Sequence, residues 1–309
     1  MPWNPESLPR TPERTFVVTG ATAGIGYFAS EQLAGSGAHV IIAARSAAKA
    51  QSALAAIREQ HPAASLGSTL MDLSSLASVA RAAEELSTLP RIDGIVLNGG
   101  AMAFSSSATT ADGLPMLLGT HVIANVALIA HLLPTLVANA ERHGITPRIV
   151  HTSTGYVERF GRPVGDVRRV PRIGIAAYTK AKTVTEIFAF ELDRRLRAAR
   201  LPVASIVTRP GVGVDAKTPH RAGIRDASTP YQRNPYTPWA QGKDTAAWSA
   251  VRAATDPEAR GGDYFAPAGG VKGAPVAVPP SPRTAQPGPD VARRVWSQLE
   301  ELTGMELGI

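Results

Sequence analysis

The clearest pattern of apolar and polar positions lies in residues 13–46. An apolar run at Thr15–Thr19 predicts a strand, and a glycine-containing turn and an amphipathic helical segment follow it. A second apolar run at His39–Ala44 predicts another strand. This order is a strand–helix–strand unit, which is typical of α/β proteins with a parallel sheet.

The most apolar stretch of the chain runs from Val122 to Ala138. It contains Asn125, His131 and Pro134. These residues favour a helix buried against the sheet over a membrane span. We therefore predict no transmembrane segment.

The C-terminal residues 266–289 are rich in proline and glycine, which predicts an extended segment on the surface. A short amphipathic helix is predicted from Asp290 to Leu302, with Asp290 as its N-cap. The predicted parts of the chain are an N-terminal extension (1–14), a domain (15–265) and a C-terminal extension (266–309).

Composition narrows the class of protein. The chain has 309 residues, 44% of them hydrophobic, which is enough for a large core. It has no cysteine, which excludes disulfides, thiol catalysis and cysteine metal sites and fits a cytoplasmic protein; no metal site is predicted. Residues 1–14 lack the apolar core of a signal peptide. The oligomeric state stays open, with a homo-oligomer among the alternatives.

The formal net charge of +7 raises the question of an anionic partner. The arginines are mostly dispersed, apart from a group between Arg159 and Arg172 and the run DRRLRAAR from Asp193. No aromatic residues are interleaved with them, so solvated faces are predicted rather than a nucleic-acid partner. Attraction of an acidic substrate to the first group stays open.

Tyr178 and Lys182 stand one helical turn apart in YTKAK. An ammonium beside the phenol would lower its pKa from about 10 toward neutrality. Such a phenol can exchange a proton with a carbonyl or alcohol oxygen. A surface tyrosine and lysine are the alternative.

The glycine run TGATAGIG follows the first predicted strand. Gly20 would allow a tight turn, Gly24 the approach of a diphosphate to the backbone, and Gly26 close packing of the helix. The spacing differs from the commoner GxGxxG form, and a purely structural turn is the alternative. The predicted cofactor-binding residues of this run are Thr19, Gly20, Gly24, Ile25 and Gly26.

The second strand ends at Ala44, and Arg45 and Ser46 follow it. A carboxylate at this place would bind the ribose 2′-hydroxyl and repel a phosphate. Here a guanidinium can pair with a 2′-phosphate, which favours NADP(H) over NAD. An arginine that is merely solvated is the alternative.

Six motifs occur in order: TGATAGIG, Asp72 with Leu73 after a third apolar strand, NGGA from Asn98, HTSTG, YTKAK, and RPG from Arg209. Together they resemble the short-chain dehydrogenase/reductase family over most of the chain. The phrase GTHVIANVAL and the long gap before Tyr178 are most similar to the branch of retinol dehydrogenase and protochlorophyllide reductase. The resemblance implies a single doubly wound Rossmann-type domain, with a parallel sheet and helices on both faces.

The resemblance also implies hydride transfer and roles for individual residues. Tyr178 would be the acid/base, and Lys182 would bind the nicotinamide ribose and tune the phenol. The implied cofactor contacts are Asp72 with Leu73 near the adenine, Asn98 with Gly99 along the cleft, and Pro210 with Gly211 at the nicotinamide. For Asp72, a helix N-cap or turn residue is an equal alternative.

Two departures from the family pattern concern the catalytic residues. Thr154 stands where the family has a serine; its hydroxyl can serve, while Ser153 is predicted to point to the other face of the strand. His121 stands where the family has an asparagine, and Asn125 lies one turn further on the same face. His121 is either a proton relay with a pKa of about 6.5 or an interior histidine without a chemical part.

A third departure is Asp215, where the family has a threonine near the diphosphate. A carboxylate is unfavourable there, so either Thr218 supplies the hydroxyl or the cofactor binds more weakly. The surrounding segment 212–241 is the substrate lid in the family, and here it carries four prolines with Tyr231, Tyr236 and Trp239. These rings suit a hydrophobic or aromatic substrate, or else they pack on one another.

The sequence therefore predicts an NADP(H)-dependent oxidoreductase that interconverts a ketone or aldehyde and an alcohol. The alternatives are a non-redox enzyme on the same fold, such as an epimerase, isomerase or dehydratase, and a dinucleotide sensor without turnover.

Overall fold

The fold is seen in a computed structural model that describes residues 3–5, 7–101, 108–226 and 234–309. These residues form an eight-stranded sheet with the strand order 3-2-1-4-5-6-7-8. The strands are β1 (Thr15–Thr19), β2 (His39–Ala44), β3 (Leu66–Leu70), β4 (Gly94–Leu97), β5 (Arg148–Thr152), β6 (Ala204–Thr208), β7 (Tyr264–Pro267) and β8 (Pro275–Ala277). The first two strands have the predicted bounds.

Helices cover both faces of the sheet. They are α1 (Gly24–Gly35), α2 (Ala47–Gln60), α3 (Leu76–Ser87), α4 (Met116–His143), α5 (Gly155–Phe160), α6 (Gly174–Ala198), α7 (Lys243–Thr255), α8 (Pro282–Ala285) and α9 (Pro289–Thr303). Within β1, Phe16 and Val18 pack under α1, α2 and α7, whereas Val17 packs under α3, α4, α6 and α9. Burial on both faces explains the continuous apolar run of this strand. The predicted doubly wound α/β domain is confirmed.

Strand β1 lies between β2 and β4, and its pairings with both are parallel. The chain therefore winds outward in opposite directions from β1, and the carboxyl ends of β1 and β4 lie side by side at the switch point. Open α/β sheets bind ligands in the crevice at this place. The fold thus brings together the loops after β1, β4, β5 and β6.

Helix α4 is the apolar helix that the sequence predicts. Its mean hydropathy reaches 1.8, and by length and composition it is apolar enough to cross a membrane. In the fold, 83% of that apolar window is buried, as is usual for a core helix. A π-helical turn, Gly119–Ile123, interrupts its first half. Such turns are often found at functional sites.

The C-terminal part of the chain differs from its prediction in three ways. Strand β8 extends the sheet and pairs antiparallel with β7, so the sheet is not wholly parallel. Helix α8 lies within residues 266–289, so this segment is not extended throughout, whereas the buried Trp296 on α9 fits the predicted amphipathic helix. Gly288 caps α9, with Pro289 as the first helical residue, so the prediction of Asp290 as N-cap is wrong. The domain boundaries themselves stay a prediction.

Candidate active site

The glycine run after β1 forms a cradle whose shape depends on missing side chains. Gly20 and Gly24 have φ angles of +63° and +59°. A Cβ on Gly20 would lie 2.6 Å from Cα of Gly99, and one on Gly26 would lie 2.4 Å from the Gly20 carbonyl oxygen. The loop after β1 therefore packs directly on the loop after β4.

Helix α1 begins at Gly24, and no side chain caps its N-terminus. Free amide groups at such an end bind anions. The space beside Gly24 is open. Among the described residues outside the loop itself, only Cδ of Lys243 would come within 4 Å of a Cβ built on Gly24. The cradle fits the diphosphate of a dinucleotide.

Thr19 and Asn98 hold the two loops together. The Gly99 amide donates to Oγ1 of Thr19 at 2.8 Å, and Nδ2 of Asn98 donates to the Thr19 carbonyl at 3.4 Å. Thr19 therefore supports the cradle from behind and does not line the cleft, whereas Asn98 and Gly99 do.

The residues predicted for the adenosine end lie outside the central cleft. Arg45 is exposed after β2, and Ser46 caps α2 by accepting from the Lys49 amide at 3.4 Å. Asp72 accepts hydrogen bonds from the amide and the hydroxyl of Ser74 at 2.9 and 2.7 Å. Asp72 is thus a turn residue and not the N-cap of α3, which is Ser75.

A cleft of about 1290 Å³ opens between the carboxyl ends of the strands and α6. The predicted residues that line it are Gly20, Ile25, Asn98, Gly99, His121, Thr154, Tyr178, Lys182, Pro210 and Gly211. The predicted residues outside its lining are Thr19, Gly24, Gly26, Arg45, Ser46, Asp72, Leu73 and Asn125. Of the outer set, Leu73 packs on Gly99, where an added Cβ would lie 2.7 Å from its Cδ1.

Tyr178 and Lys182 meet in the cleft as the motif predicts, but burial controls their acidities. Nζ of Lys182 lies 5.9 Å from the centroid of the Tyr178 ring and donates to the Thr152 carbonyl at 2.6 Å. Burial raises the pKa of Tyr178 to about 12 and lowers the pKa of Lys182 to about 8. The prediction that the phenol pKa is lowered is wrong for this state, because burial is the largest influence on that pKa and raises it.

Thr154 and Ser153 both line the cleft, and their hydroxyls contact different residues of α6, so their placement on opposite faces of the strand stays a prediction. The Thr154 hydroxyl hydrogen-bonds Tyr178 and thereby opposes the rise of its pKa. The Ser153 hydroxyl donates instead to Oε1 of Glu186 at 2.5 Å. Of the two hydroxyls, the geometry therefore brings that of Thr154 to the phenol.

Glu186 is a buried residue that the sequence analysis did not single out. Its carboxylate also accepts from Tyr264 at 2.9 Å and from Thr284 at 2.8 Å. Burial raises its pKa, and its charge acts against the fall of the Lys182 pKa. Its position one turn after Lys182 on α6 was the signal available in the sequence.

His121 lies in the π turn of α4 with its ring edge toward Tyr178, at a centroid distance of 5.3 Å. Its Nε2 donates to the Ala101 carbonyl at 2.9 Å, since a carbonyl can only accept. Burial, aided by the charge of Lys182, lowers its pKa to about 3. The expected pKa of about 6.5 is wrong, and His121 stays neutral at physiological pH.

Asn125 supports His121 rather than the cleft. Its Nδ2 donates to the His121 carbonyl at 2.9 Å. Two buried acceptors, Nδ1 of His121 and Oδ1 of Asn125, have no partner within the described residues. Asn125 lies outside the lining of the cleft, and a catalytic part for its amide stays a prediction.

Asp215 lines the cleft, but it is not an isolated charge. Its Oδ1 forms an ion pair of 2.5 Å with Nζ of Lys243. Thr218 accepts from the Lys243 amide at 2.9 Å and donates to the Val214 carbonyl at 2.8 Å. Thr218 thus caps α7 and does not line the cleft, so it does not supply the expected hydroxyl.

Four large apolar side chains lie in the exposed part of the cleft lining, beside the charged Glu158 and Arg159. Phe160 and Trp239 line the cleft with 61% and 63% of their surfaces exposed, and Ile175 and Tyr236 are about half exposed. Sequence reasoning found Tyr236 and Trp239 but missed the other two, which lie in the segment before Tyr178. Tyr231 lies outside the described residues.

The segment 212–241 is tied to α1 by a bidentate ion pair. Nε and Nη2 of Arg221 contact the carboxylate of Glu31 at 2.6 and 2.9 Å. Across the cleft, Arg209 pairs with Glu158. Within the part of the chain that the structure describes, no three His, Asp or Glu side chains cluster to suit a metal ion.

Comparisons with known proteins agree with this geometry. Residues 14–225 match the family described as short chain dehydrogenase. A polyprenol dehydrogenase of Mus musculus is 31% identical over 98% of this chain and 87% of its own length. A crystal structure of an uncharacterized protein from Mycobacterium paratuberculosis has a TM-score of 0.75, with 27% identity over 99% of both chains.

A second solved structure carries a nucleotide. It comes from Beutenbergia cavernae, is described as an NAD(P) dependent gluconate 5-dehydrogenase, and holds NADP at low occupancy. Its TM-score is 0.53, and it is 26% identical over 68% of this chain and 76% of that chain.

Proposed function

The chain belongs to the short-chain dehydrogenase family, and we propose that it is an NADP(H)-dependent oxidoreductase that interconverts a ketone or aldehyde and an alcohol. The observation that carries this proposal is the meeting of Tyr178, Thr154 and Lys182 in one cleft, which continues into the glycine cradle. The named relatives of this chain are dehydrogenases and reductases, which supports an oxidoreductase.

Tyr178 holds the proton that a substrate carbonyl oxygen would receive. Because burial raises its pKa to about 12, the phenol is protonated at neutral pH and is ready to donate. In the opposite direction it would have to accept a proton from an alcohol. The free site is therefore set for reduction at neutral pH.

Thr154 and Lys182 would position and stabilise the reacting oxygen. The Thr154 hydroxyl can donate to the same substrate oxygen as Tyr178, since its own contact is with that phenol. The Lys182 ammonium, held on the Thr152 carbonyl, places a positive charge beside the developing negative charge.

The cofactor would lie on the glycine cradle, with Asn98, Gly99, Pro210 and Gly211 along the cleft. When bound, a nicotinamide dinucleotide exchanges a hydride with the substrate carbon. Exposed Arg45 after β2, with no carboxylate at that strand end, supports the phosphorylated form. The NADP held by the Beutenbergia cavernae structure also supports it.

The apolar side chains in the exposed part of the cleft support a hydrophobic substrate. Phe160, Ile175 and Trp239 present a surface that would bind an aliphatic chain or an aromatic ring beyond the reacting carbonyl. A relative named polyprenol dehydrogenase, which this chain matches over nearly its full length, is consistent with this class. A cytoplasmic location stays a prediction from the cysteine-free composition.

The test is a turnover assay on the purified chain. With NADPH and a panel of apolar ketones and aldehydes, absorbance of the reduced nicotinamide should fall. Tyr178→Phe should abolish the fall while NADPH binding, measured by calorimetry, is kept. Product without any net change in absorbance would support a non-redox enzyme instead. Tight NADPH binding without chemistry across the panel would support a sensor.

A further inference from the structure

Lys243 stands over the two glycine loops that border the cleft. A Cβ built on Gly213 would lie 3.3 Å from its Cγ, and a Cβ built on Gly24 would lie 3.8 Å from its Cδ. The ammonium is two bonds beyond Cδ and pairs with Asp215. Its side chain therefore spans from the loop after β6 to the N-terminus of α1.

This position addresses the problem that Asp215 raises. A carboxylate on the wall of a diphosphate site repels the ligand unless a cation offsets it. Lys243 and Asp215 are 29% and 14% exposed, so the ammonium is reachable from the cleft while it neutralises the carboxylate. An ammonium has three hydrogen-bond donors. Among the described residues, the one carboxylate that pairs with the Lys243 ammonium is that of Asp215.

Two of the other cations that line the cleft are engaged elsewhere, and the third, Arg159, is exposed on α5. Arg209 pairs with Glu158, and Lys182 lies deep beside Tyr178 on the Thr152 carbonyl. Helix α1 carries no acidic residue in its first turn, so its N-terminal amides and Lys243 present positive charge to the same space. The Lys243 side chain thus supplies a full positive charge, which the side chains of the glycine cradle itself lack.

We propose that Lys243 binds the diphosphate of the cofactor and that Asp215 is the competing anion that holds the ammonium when no diphosphate is bound. The proposal rests on the proposed function and adds to it a ligand from α7. Because the diphosphate is common to NAD and NADP, this contact differs from the one proposed for Arg45 and does not select between them.

The test uses the full-length chain and Lys243→Met, with calorimetric dissociation constants for NADPH, ADP-ribose and 2′-AMP. Loss of one charge-assisted hydrogen bond should weaken NADPH and ADP-ribose about tenfold to a hundredfold. Affinity for 2′-AMP, which has no diphosphate, should stay unchanged. Lys243→Arg should keep most of the affinity for ADP-ribose.

Asp215→Asn supplies the second measurement. Without a competing carboxylate, ADP-ribose should bind severalfold more tightly than to the wild-type chain. Arg293→Met is the matched control, because it removes one positive charge from a side chain on α9 that is 70% exposed. This control should leave all three dissociation constants unchanged, and melting temperatures check that each variant is folded.

The outcomes separate this inference from the proposed function. If the wild-type chain binds and oxidises NADPH but Lys243→Met binds ADP-ribose equally well, the diphosphate contact is refuted and the proposed function stands. Weaker binding of ADP-ribose by Asp215→Asn would refute the competition. A wild-type chain that binds neither NADPH nor ADP-ribose would refute the proposed function as well.

Discussion

A Cβ atom on Gly100 would lie 2.0 Å from Cε1 and 2.1 Å from Nδ1 of the His121 imidazole. The backbone after β4 therefore lies directly against this ring, which also meets the Tyr178 ring in an edge-to-face contact. The hydrogen bond from Nε2 to the Ala101 carbonyl completes the enclosure. The orientation of His121 depends on the absence of a side chain at Gly100.

Gly100→Ala should displace the His121 ring. We expect a loss of about 1–3 kcal/mol in the free energy of unfolding, the usual cost of overpacking. The kcat for ketone reduction should fall with it, because the ring packs against Tyr178. Urea unfolding and steady-state kinetics measure the two effects. In the double variant Gly100→Ala/His121→Ala the stability should largely return; strictly additive losses would contradict the contact.

Thr154→Val should lower kcat about a hundredfold, the effect of removing one hydroxyl donor from a reacting oxygen. Thr154→Ser keeps the hydroxyl and should retain most of the activity. Ser153→Ala is the matched control, since the Ser153 hydroxyl donates to Glu186 and not to Tyr178. That control should change the melting temperature more than kcat. An active Thr154→Val variant would remove this residue from the mechanism.

The pH dependence of reduction should follow Lys182. Its pKa of about 8 means that the ammonium is lost as the pH rises through 8, while Tyr178, with a pKa of about 12, keeps its proton. We therefore expect kcat/KM for ketone reduction to fall above pH 8, and Lys182→Met to remove this titration along with most of the activity. A profile that is flat from pH 7 to 10 would contradict this role.

Measurements of stability distinguish a loss of activity caused by the titration of Lys182 from one caused by unfolding at high pH. The pKa of Lys182 is lowered from 10.5 in the folded chain, so above pH 8 the unfolded chain binds more protons at this residue. Its contribution to the free energy of unfolding must then rise with pH between about 8 and 10. Between about pH 8 and 10, activity should therefore fall while the contribution of Lys182 to the free energy of unfolding rises. Urea unfolding of the wild type and of Lys182→Met measures that contribution.

Arg45→Ala should weaken NADPH binding about tenfold and leave NADH unchanged, because only NADPH carries the 2′-phosphate. Fluorescence titration of both nucleotides measures the selectivity. Arg58→Ala is the matched control, since Arg58 is an exposed arginine in the last turn of α2. An equal loss for NADH and NADPH would refute a contact between Arg45 and the phosphate.

Local patterns were sufficient where burial and backbone geometry are uniform along a segment. Strands β1 and β2 are buried on both faces, so their apolar runs predicted their bounds. Gly20 and Gly24 adopt positive φ angles, which glycine favours, so the glycine pattern was enough to predict the turn. The start of α9 was predicted wrongly because Asp290 suits an N-cap and Pro289 suits the first helical position. In the structure Gly288 is the N-cap and Pro289 is the first helical residue.

The sequence by itself determined the α/β class, the positive-φ glycine turn and the Tyr178–Lys182 spacing, since these follow from patterns within one strand, turn or helix. Only the tertiary structure decided the acidities, because burial by distant elements is the largest influence on the pKa values of Tyr178, Lys182 and His121. It also decided the pairing of Asp215 with Lys243 across separate loops. Desolvation and long-range contacts depend on the whole packed chain, and no local pattern encodes them.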